Sequence, residues 1–420
     1  MSKEIFSYVK LKDVADVEIS SVDKKCNENE TEVSLCNFVD VYYNWAITEG
    51  KADSFMKATA KQSEIDRFAL KKGQVAITKD SETKYDIGVA TYIADDFDNV
   101  LLGYHCALIT PNENKLSGKY LNAFFHTKFV QKYFELNATG SGQRFTLSLD
   151  AIKDMPIYLP SLSKQKEVAE IFSKIDRKIE MNETINDNLQ TLMQTLYDYW
   201  FVQFDFPNKD GKPYKSSGGK MVWNETLRQN IPEAWTTRKL SSIINISNER
   251  MSPSEIKDRV YAPIEVIPRK RISFYETADT SKATTGLCPF AAKAILLSNR
   301  RVYFHKVCIS PFDGVTRDTV IIITPNEESN LGFVFETVFS ERFINYATKN
   351  SYGSEQPVLS PTAVMDYVIA YPNDFLDYSY STIVNEMIDQ VLMNEKENKQ
   401  LLELRNLLLP LLMTGQATIE

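Results

Sequence analysis

The residues of this chain best suited to chemistry are basic, and they gather in two stretches. Arg269, Lys270 and Arg271 are consecutive, and Arg300 and Arg301 form a pair further along. Lysine and arginine neutralise phosphates, and arginine also reads guanine edges in the major groove of DNA. The two stretches therefore predict contact with nucleic acid, although any single cation could equally be a solvated surface charge.

Further polar residues extend this prediction to both halves of the chain. The complete set of predicted contacts adds Lys71, Lys72, Lys79, Lys84, Arg144, Arg317 and Gln356. The net charge of −8 argues against a surface coated by nucleic acid. It does not exclude local contact, because phosphate binding depends on the patch of charge and not on the total.

The sequence motifs of catalysis are missing. No Pro-Pro pair occurs, although a DNA methyltransferase needs one in the motif that holds its flipped base. The Gly-Gly-Lys of Gly218 to Lys220 lacks the spacing of a phosphate loop. The three histidines and five cysteines show no metal-ligand spacing. We therefore predict no catalytic residue, metal ligand or cofactor in this chain.

The elements that must position these cations come as a tandem repeat. The segment ITPNE at 109–113 recurs at 323–327, each time after a strand-like stretch and before a helical pattern. The loop GSGQRFTLS is answered in the same order by GSEQPVLS. Ordered matches at a nearly constant offset indicate a duplication. The predicted fold class is α+β, with two mixed α/β modules at 1–160 and 235–375.

Each module is followed by a long leucine-rich polar stretch, at 161–203 and 376–415. Its apolar and asparagine residues step alternately by four and three, the heptad spacing of a coiled-coil seam. Since a whole module separates the two stretches, we predict two long helices that form an antiparallel coiled coil. Ordinary surface helices with solvated faces are the alternative.

The predicted seam has the same spacing in both helices. It comprises Ile175, Ile179, Asn182, Asn186, Leu189, Met193, Leu196 and Trp200 in the first helix and Met387, Val391, Asn394, Asn398, Leu401, Arg405, Leu408 and Leu412 in the second. The equivalent asparagines predict matched polar layers that fix register. Arg405 is the one charged member, and we expect Leu404 beside it to replace it in the seam.

The connection at 204–234 is rich in glycine, lysine and serine, and it predicts an exposed crossing linker. Helix length bounds what the chain can reach. The segment 168–200 would be about 50 Å long as a helix, against about 35 Å for one turn of duplex DNA. Two modules held by such a spacer could touch DNA one to one and a half turns apart.

Two regions carry a family resemblance. Residues 160–207 (PSLSKQKEVAEIFSKIDRKIEMNETINDNLQTLMQTLYDYWFVQFDFP), with GKPYKSSGGKMV and IPEAW after them, resemble the central conserved region of type I restriction-modification specificity subunits. Residues 397–416 (ENKQLLELRNLLLPLLMTGQ) resemble the distal conserved region of the same family. The resemblance is specific in these helical regions and extends over the rest of the chain by architecture.

The resemblance implies a function and a set of partners. Each module would be a target-recognition domain that reads one half of a bipartite double-stranded DNA site. The helices would space the two halves and dock two modification (methyltransferase) subunits. Those partners would use S-adenosylmethionine, and restriction motor-nuclease subunits would use ATP and magnesium.

Two alternatives remain open at this stage. Paired helices between globular modules also suit a protein-protein adaptor that does not bind DNA, and a self-contained methyltransferase is a second possibility. The chain has no run of about 18 apolar residues, and its start is too polar for a signal peptide. We therefore expect a cytoplasmic protein without a membrane partner.

Overall fold

The computed structural model describes residues 8–372 and 379–413. The chain divides into two compact units, one formed by Met1–Lys178 with Leu401–Glu420 and the other by Ile179–Gln400. Each unit contains one module and part of each long helix. The predicted boundaries at residues 375, 376 and 415 lie outside the described residues.

The first unit is built around two sheets. Its strands are β1 (Tyr8–Lys10), β2 (Ala15–Ile19), β3 (Thr31–Cys36), β4 (Ala46–Ile47), β5 (Met56–Ala60), β6 (Val75–Thr78), β7 (Asp80–Ser81), β8 (Ala90–Ile93), β9 (Val100–Leu102), β10 (Cys106–Pro111), β11 (Thr139–Ser141), β12 (Arg144–Thr146) and β13 (Pro156–Tyr158). One sheet has the order β2-β10-β6-β8-β4, and the other has the order β5-β3-β9. Strand β6 is buried at every position because it lies in the middle of its sheet.

The helices of the first unit pack against both sheets. The helices are α1 (Phe38–Tyr43), α2 (Gln62–Phe68), α3 (Gly118–Phe125), α4 (Lys128–Asn137), α5 (Leu149–Lys153) and α6 (Leu162–Tyr197), of which α6 continues into the second unit. Helices α1 and α3 pack on the first sheet, and α2 packs on the second. The side chains of Thr127 and Ser148 cap α4 and α5 by accepting hydrogen bonds from backbone N–H groups of the first turn. Tyr120 and Phe134 bring α3 and α4 into the same apolar core as strands β6 and β10.

The second unit repeats this plan. Its strands are β14 (Met221–Asn224), β15 (Gln229–Pro232), β16 (Trp235–Lys239), β17 (Ile244–Ile246), β18 (Val260–Tyr261), β19 (Leu287–Phe290), β20 (Ile295–Ser298), β21 (Val307–Ile309), β22 (Gly314–Arg317), β23 (Val320–Pro325), β24 (Ser351–Tyr352), β25 (Val358–Leu359) and β26 (Val368–Pro372). Its helices are α7 (Leu331–Phe339), α8 (Glu341–Lys349), α9 (Pro361–Met365) and α10 (Ser379–Met413), of which α10 continues into the first unit.

The duplication predicted from the sequence is confirmed by strand pairing. The order β17-β23-β20-β21 in the second unit matches β2-β10-β6-β8 in the first. The pair β16–β26 matches β1–β13, and the hairpin β24–β25 matches β11–β12. Both modules are mixed α/β, as predicted.

The two long helices pair within the second unit through asparagine. The Asn182 side-chain amide donates to Asn398 Oδ1 at 2.8 Å, and the Asn394 amide donates to Asn186 Oδ1 at 2.8 Å. Asn182 pairs with Asn398, and the later Asn186 pairs with the earlier Asn394. The two helices are therefore antiparallel in this stretch, as predicted. All four side chains are buried. These hydrogen bonds between asparagine side chains offset the cost of burying polar groups. They also specify which turns of the two helices face each other.

Other predicted seam residues take graded positions. The buried ones are Ile175, Ile179, Met193, Trp200, Val391 and Leu412. The half-buried ones are Leu189, Leu196, Met387, Leu401 and Leu408. In the first unit, Leu409 is the buried residue next to Leu408.

The expectation that Leu404 replaces Arg405 in the seam is wrong. Leu404 is 43% exposed, while the Arg405 guanidinium lies 4.4 Å from the ring centroid of Trp45. Trp45 in turn stacks on His126, with ring centroids 4.3 Å apart. A guanidinium stacks favourably on an aromatic face, so the charged side chain occupies the inner position.

The predicted exposed linker is also corrected by the structure. Phe204, Phe206 and Ile231 are buried in the core of the second unit, where Phe206 stacks on Trp235. Strands β14 and β15 form an antiparallel hairpin within the same segment. Composition indicated flexibility, but its aromatic residues bury enough apolar surface to hold the segment in place.

Candidate nucleic-acid interface

Arg300, Arg301 and the hairpin residue Gln356 lie near one another in the second module, at a site called here the arginine corner. It lies where strand β20 ends beside the β24–β25 hairpin. The Leu359 amide donates to Asn299 O at 2.8 Å, and the Arg301 amide donates to Pro357 O at 3.0 Å. Arg300 forms an isolated β-bridge with Val358. The hairpin therefore fixes the backbone of both arginines. Arg300 is exposed and Arg301 is half-buried.

Gln356 lies in the exposed turn of this hairpin, two residues before Val358. The turn opens at Gly353, whose φ of 104° is favourable only for glycine. Tyr352 in the same hairpin is 74% exposed. The backbone pairing thus brings Arg300 and Arg301 close to the hairpin that carries Gln356.

The run Arg269 to Arg271 approaches this corner through the turn after Arg301. The Arg269 guanidinium lies 4.1 Å from the ring centroid of Phe304, and the Lys270 amide donates to His305 O at 3.0 Å. Helix α6 holds the run from behind, since Gln190 donates to Lys270 O at 2.8 Å. Lys270 itself pairs with Glu341 at 2.8 Å, with both side chains exposed. Arg269, Lys270 and Arg271 are all exposed.

Arg317 is held more tightly than an exposed phosphate ligand would be. One guanidinium nitrogen donates to Lys282 O at 3.3 Å, and the residue is half-buried. Two residues later, Thr319 O accepts from the Asn299 amide at 2.9 Å. Arg317 lies at the end of strand β22, which pairs with β18 and β19.

The first module builds the same corner from different side chains. The Leu147 amide donates to Lys79 O at 2.8 Å, as Leu359 does to Asn299. Thr146 pairs with Asp80, as Val358 does with Arg300. By this register Asp80 occupies the position of Arg300, and Arg144 that of Gln356.

Electrostatics at the first corner differ accordingly. Lys79 Nζ lies 2.6 Å from Asp80 Oδ2, and His105 Nδ1 lies 2.8 Å from the same oxygen. Burial alone would raise the pKa of Asp80, but hydrogen bonds from Lys79, Thr146 and His105 outweigh it and lower that pKa. Lys79 is thus committed to an ion pair, and less of its charge is available to a phosphate.

Arg144 and Lys84 are the more accessible cations of the first corner. Arg144 is exposed on the β11–β12 hairpin, and strand β12 pairs with β7. Lys84 Nζ lies 5.4 Å from the ring centroid of Tyr85, which is 72% exposed. A cation and an exposed ring side by side suit contact with phosphates and bases.

The structure separates Lys71 and Lys72 from the remaining predicted contacts of the first module. They precede strand β6, whereas Lys79 follows it, so they lie at opposite ends of that strand. Their backbone amides bond to Gln74 and Asp96, which fixes the turn before the strand. The prediction grouped these lysines by sequence distance, which ignores the direction of the strand between them.

Sequence reasoning missed the exposed aromatic residues and the Asp80–His105 pair. The missed exposed rings are Tyr43, Tyr85, Tyr104 and Tyr352, whereas the sequence already placed Tyr303 among the cations of the second module. These tyrosines are hard to recognise from the sequence, because a single tyrosine beside turn residues belongs to no helical or strand periodicity. The pairing of Asp80 with His105 joins positions that only the sheet register brings together.

No group of three or more candidate metal ligands occurs among the described residues. Within the same ranges, no helix is long and apolar enough to cross a membrane. The corners therefore offer hydrogen-bond donors, cations and aromatic faces. This is the chemistry of recognition at a polyanion carrying flat bases.

Two tandem α/β modules with paired long helices define a duplicated protein, and comparison with known proteins shows what it is similar to. Residues 4–191 match the family model described as the type I restriction modification DNA specificity domain. The HindI specificity subunit of Haemophilus influenzae is 21% identical over 83% of this chain and 87% of its own length. The MjaIX specificity subunit of Methanocaldococcus jannaschii is 22% identical over 74% of this chain and 72% of its own.

A solved structure shares the fold over nearly the whole length. The crystal structure of the S subunit of a type I restriction-modification system from M. genitalium covers 98% of this chain and 97% of that chain. Its TM-score is 0.53 at 14% sequence identity. By these comparisons the chain is similar to the specificity subunits of type I restriction-modification systems.

Proposed function

We propose that this chain is the DNA sequence-recognition subunit of a type I restriction-modification complex, with one half of a bipartite duplex target read by each module. The observation that carries the proposal is the corner built twice, with one backbone register and two sets of side chains. A duplicated frame with different contact residues is what reading two unlike half-sites requires.

The two corners divide the work of recognition differently. In the second module, Arg300 and Arg301 are placed to contact phosphates or a guanine edge, and Gln356 can bond adenine. In the first module, Arg144 and Lys84 supply the charge. Exposed tyrosines flank both corners and can contact the sugar or the bases.

The long helices are proposed to set the distance between half-sites and to dock two modification subunits. Helix α6 has 36 residues and α10 has 35, each about 50 Å long. Large apolar side chains remain exposed along them, namely Met181, Ile185, Leu192, Met393 and Leu407. Exposed apolar residues repeated along a helix suit burial by a protein partner.

The chain itself is proposed to be non-catalytic within that complex. Methylation would come from the modification subunits with S-adenosylmethionine. Cleavage would come from restriction motor-nuclease subunits with ATP and magnesium. The chain's contribution is the choice of site.

The salt dependence of binding to a mixed-sequence duplex tests the proposal. Phosphate contacts release counterions, so the logarithm of the binding constant should fall linearly with the logarithm of salt concentration. A chain that retains no duplex even at low salt would overturn the DNA-recognition role.

A four-residue insertion in α6, about 6 Å of helix, tests the ruler. We expect the recognised spacer to change or the complex to fail to assemble. A methylated site with an unchanged spacer would contradict the role of the helices in spacing.

A further inference from the structure

A cavity of about 460 Å³ lies within the second unit. Tyr197 and Asp198 at the end of α6 form one wall, and Glu336 of α7 forms another. Arg342 of α8 and Gln229 of β15 contribute to the remainder. The volume falls within the range of small-molecule sites in proteins.

The deepest polar group of this cavity is the Glu336 carboxylate. Every residue of α7 is buried, and Glu336 is only 2% exposed. Its Oε1 atom has no hydrogen-bond partner among the residues that the structure describes. The buried Tyr380 hydroxyl also has none within the described ranges. A buried acceptor without a donor is costly and calls for a ligand that supplies one.

The cations of the chain that line the cavity are engaged elsewhere. Arg342 donates to Gln229 Oε1 at 3.3 Å, and Lys270 pairs with Glu341 at 2.8 Å. His305 is buried and lies 3.4 Å from the same Glu341. None of these contacts reaches Glu336, so its negative form has no counter-charge from those side chains.

The ionisable groups that face Glu336 disfavour its charge further. Burial raises the pKa of Glu336 to about 8, and the nearby carboxylate of Asp198 contributes in the same direction. Tyr380 and Tyr197 are the other ionisable neighbours, and burial raises the pKa of each hydroxyl. An arriving cation would displace the proton from Glu336, whereas an anion would meet two acids.

The remaining lining is apolar and selects the body of the ligand. Phe201, Val202, Leu227 and Phe339 supply hydrocarbon surface beside the acids. Asp198 is exposed and so lies at the mouth of the cavity. A ligand with a cationic head and a short hydrocarbon tail satisfies both the carboxylate and these walls.

We propose that this cavity binds a small organic cation, a primary ammonium or guanidinium on a short apolar chain, with Glu336 as its counter-ion and Asp198 at the mouth. The same chemistry is carried by a free amine and by the lysine or arginine side chain of a docked protein. The site does not depend on the proposed DNA recognition, because none of its binding groups belongs to the exposed corner.

Calorimetric titration of the full chain with n-butylammonium chloride tests this site, with butanamide as the neutral control of similar size. We expect saturable binding of the ammonium that strengthens about 25-fold between pH 6.5 and pH 8.5, since binding requires ionised Glu336. Binding near pH 7 should release a proton, seen as a heat that depends on the ionisation enthalpy of the buffer.

Substitutions assign the site. Glu336→Gln keeps the shape and should weaken ammonium binding at pH 8.5 at least about tenfold. Asp198→Asn, at an exposed position, should weaken binding by a smaller factor. Glu225→Gln in the exposed β14–β15 turn is the matched control and should leave binding unchanged. Equal binding of butanamide, or undiminished affinity in folded Glu336→Gln, would overturn the proposal.

Repeating the titration in the assembled complex distinguishes the two sources of the cation. If a free amine is the natural ligand, n-butylammonium should bind the complex as it binds the chain. If a partner's basic side chain fills the cavity, binding should be lost on assembly and regained when the partner is removed. Absence of ammonium binding to the chain alone would reject both.

Discussion

The two modules share one frame, yet their corners carry different charges. Where the second module places Arg300, the first places Asp80, and Lys79 and His105 hold that carboxylate in place. At the hairpin the difference is reversed, with Arg144 in the first module and Gln356 in the second. The comparison teaches that backbone pairing sets where contacts occur, while side chains at a few fixed positions set what is contacted.

Contacts between the modules and the long helices also use equivalent backbone positions with different side chains. Ile272 in the second module and Trp45 in the first occupy equivalent backbone positions, because the amides of Ile309 and Tyr92 donate to their carbonyls. Ile272 belongs to an apolar core with Met193 of α6, whereas Trp45 carries the Arg405 guanidinium of α10. The same backbone position therefore packs against an aliphatic side chain in the second module and against an arginine in the first.

The largest expected effect comes from removing the charge of the second corner. Replacing Arg300 and Arg301 together by alanine should weaken binding to the cognate duplex by about 2–4 kcal/mol, because each arginine loses phosphate or base contacts. Binding titrations over a range of salt concentrations would measure it. The matched control is Lys71→Ala with Lys72→Ala, at the opposite end of the equivalent strand, which should change affinity far less. Equal losses in both double variants would break the distinction between corner and distant charge.

The polar layer of the helix pair gives the next effect. Replacing Asn182 by leucine leaves the buried Asn398 without the amide that bonds it, and should cost about 1–3 kcal/mol of unfolding free energy. Urea unfolding would measure the loss. Met181→Leu, at a position 55% exposed, is the control. A variant as stable as the parent would show that the asparagine layer does not hold the pair together.

Glu395 predicts a pH dependence in the same layer. Burial raises its pKa to about 7, against smaller opposing effects of Arg271 and Asn186. A carboxyl whose pKa is raised in the folded state ionises less readily there than in the unfolded chain. Glu395 therefore destabilises the fold increasingly as pH rises from about 4.5 to 7. Glu395→Gln should therefore gain about 2 kcal/mol relative to the parent at pH 8 and much less at pH 5.

Unfolding of both proteins at pH 5 and pH 8 measures that difference. The exposed Glu386→Gln substitution on α10 serves as control and should show no such change with pH. Parallel pH profiles for Glu395→Gln and its parent would mean that Glu395 is ionised at low cost in the folded protein.

The smallest effect is expected where the first unit departs from the second. Arg405→Met places the residue found at the equivalent position of α6, and it removes the cation from the face of Trp45. We expect a loss of about 0.5–2 kcal/mol in unfolding free energy, since a stacked guanidinium contributes on that scale. Leu404→Met is the control. A gain in stability would show that burying the arginine costs more than its stacking returns.

Sequence reasoning recovered the features that depend on local pattern. The repeated ITPNE segments end strands β10 and β23, and the glycine-containing repeats form the two hairpins. The heptad spacing placed asparagines at equivalent seam positions of both helices, and the antiparallel pairing brings Asn182 against Asn398. Charge indicated Arg300 and Arg301 and the repeated loop indicated Gln356, and their contact with DNA stays a prediction.

Features that depend on contacts between distant segments were not recovered. The side chains of Phe204 and Phe206 lie in a stretch whose glycines and lysines indicated a loop, yet the core of the module buries both. Lys71 and Lys72 looked adjacent to Lys79 until strand β6 separated them. The Arg405 position was misjudged because the stacking partner, Trp45, is remote in sequence.

We propose that each corner reads its own half of one DNA target. Selection of bound duplexes from a random pool tests this proposal directly. The assembled complex of the parent should select two defined half-sites at a fixed spacing. Arg300→Ala with Arg301→Ala should relax one half-site alone, and Arg144→Ala should relax the other alone. Relaxation of both half-sites by either variant, or of neither by both, would contradict the account.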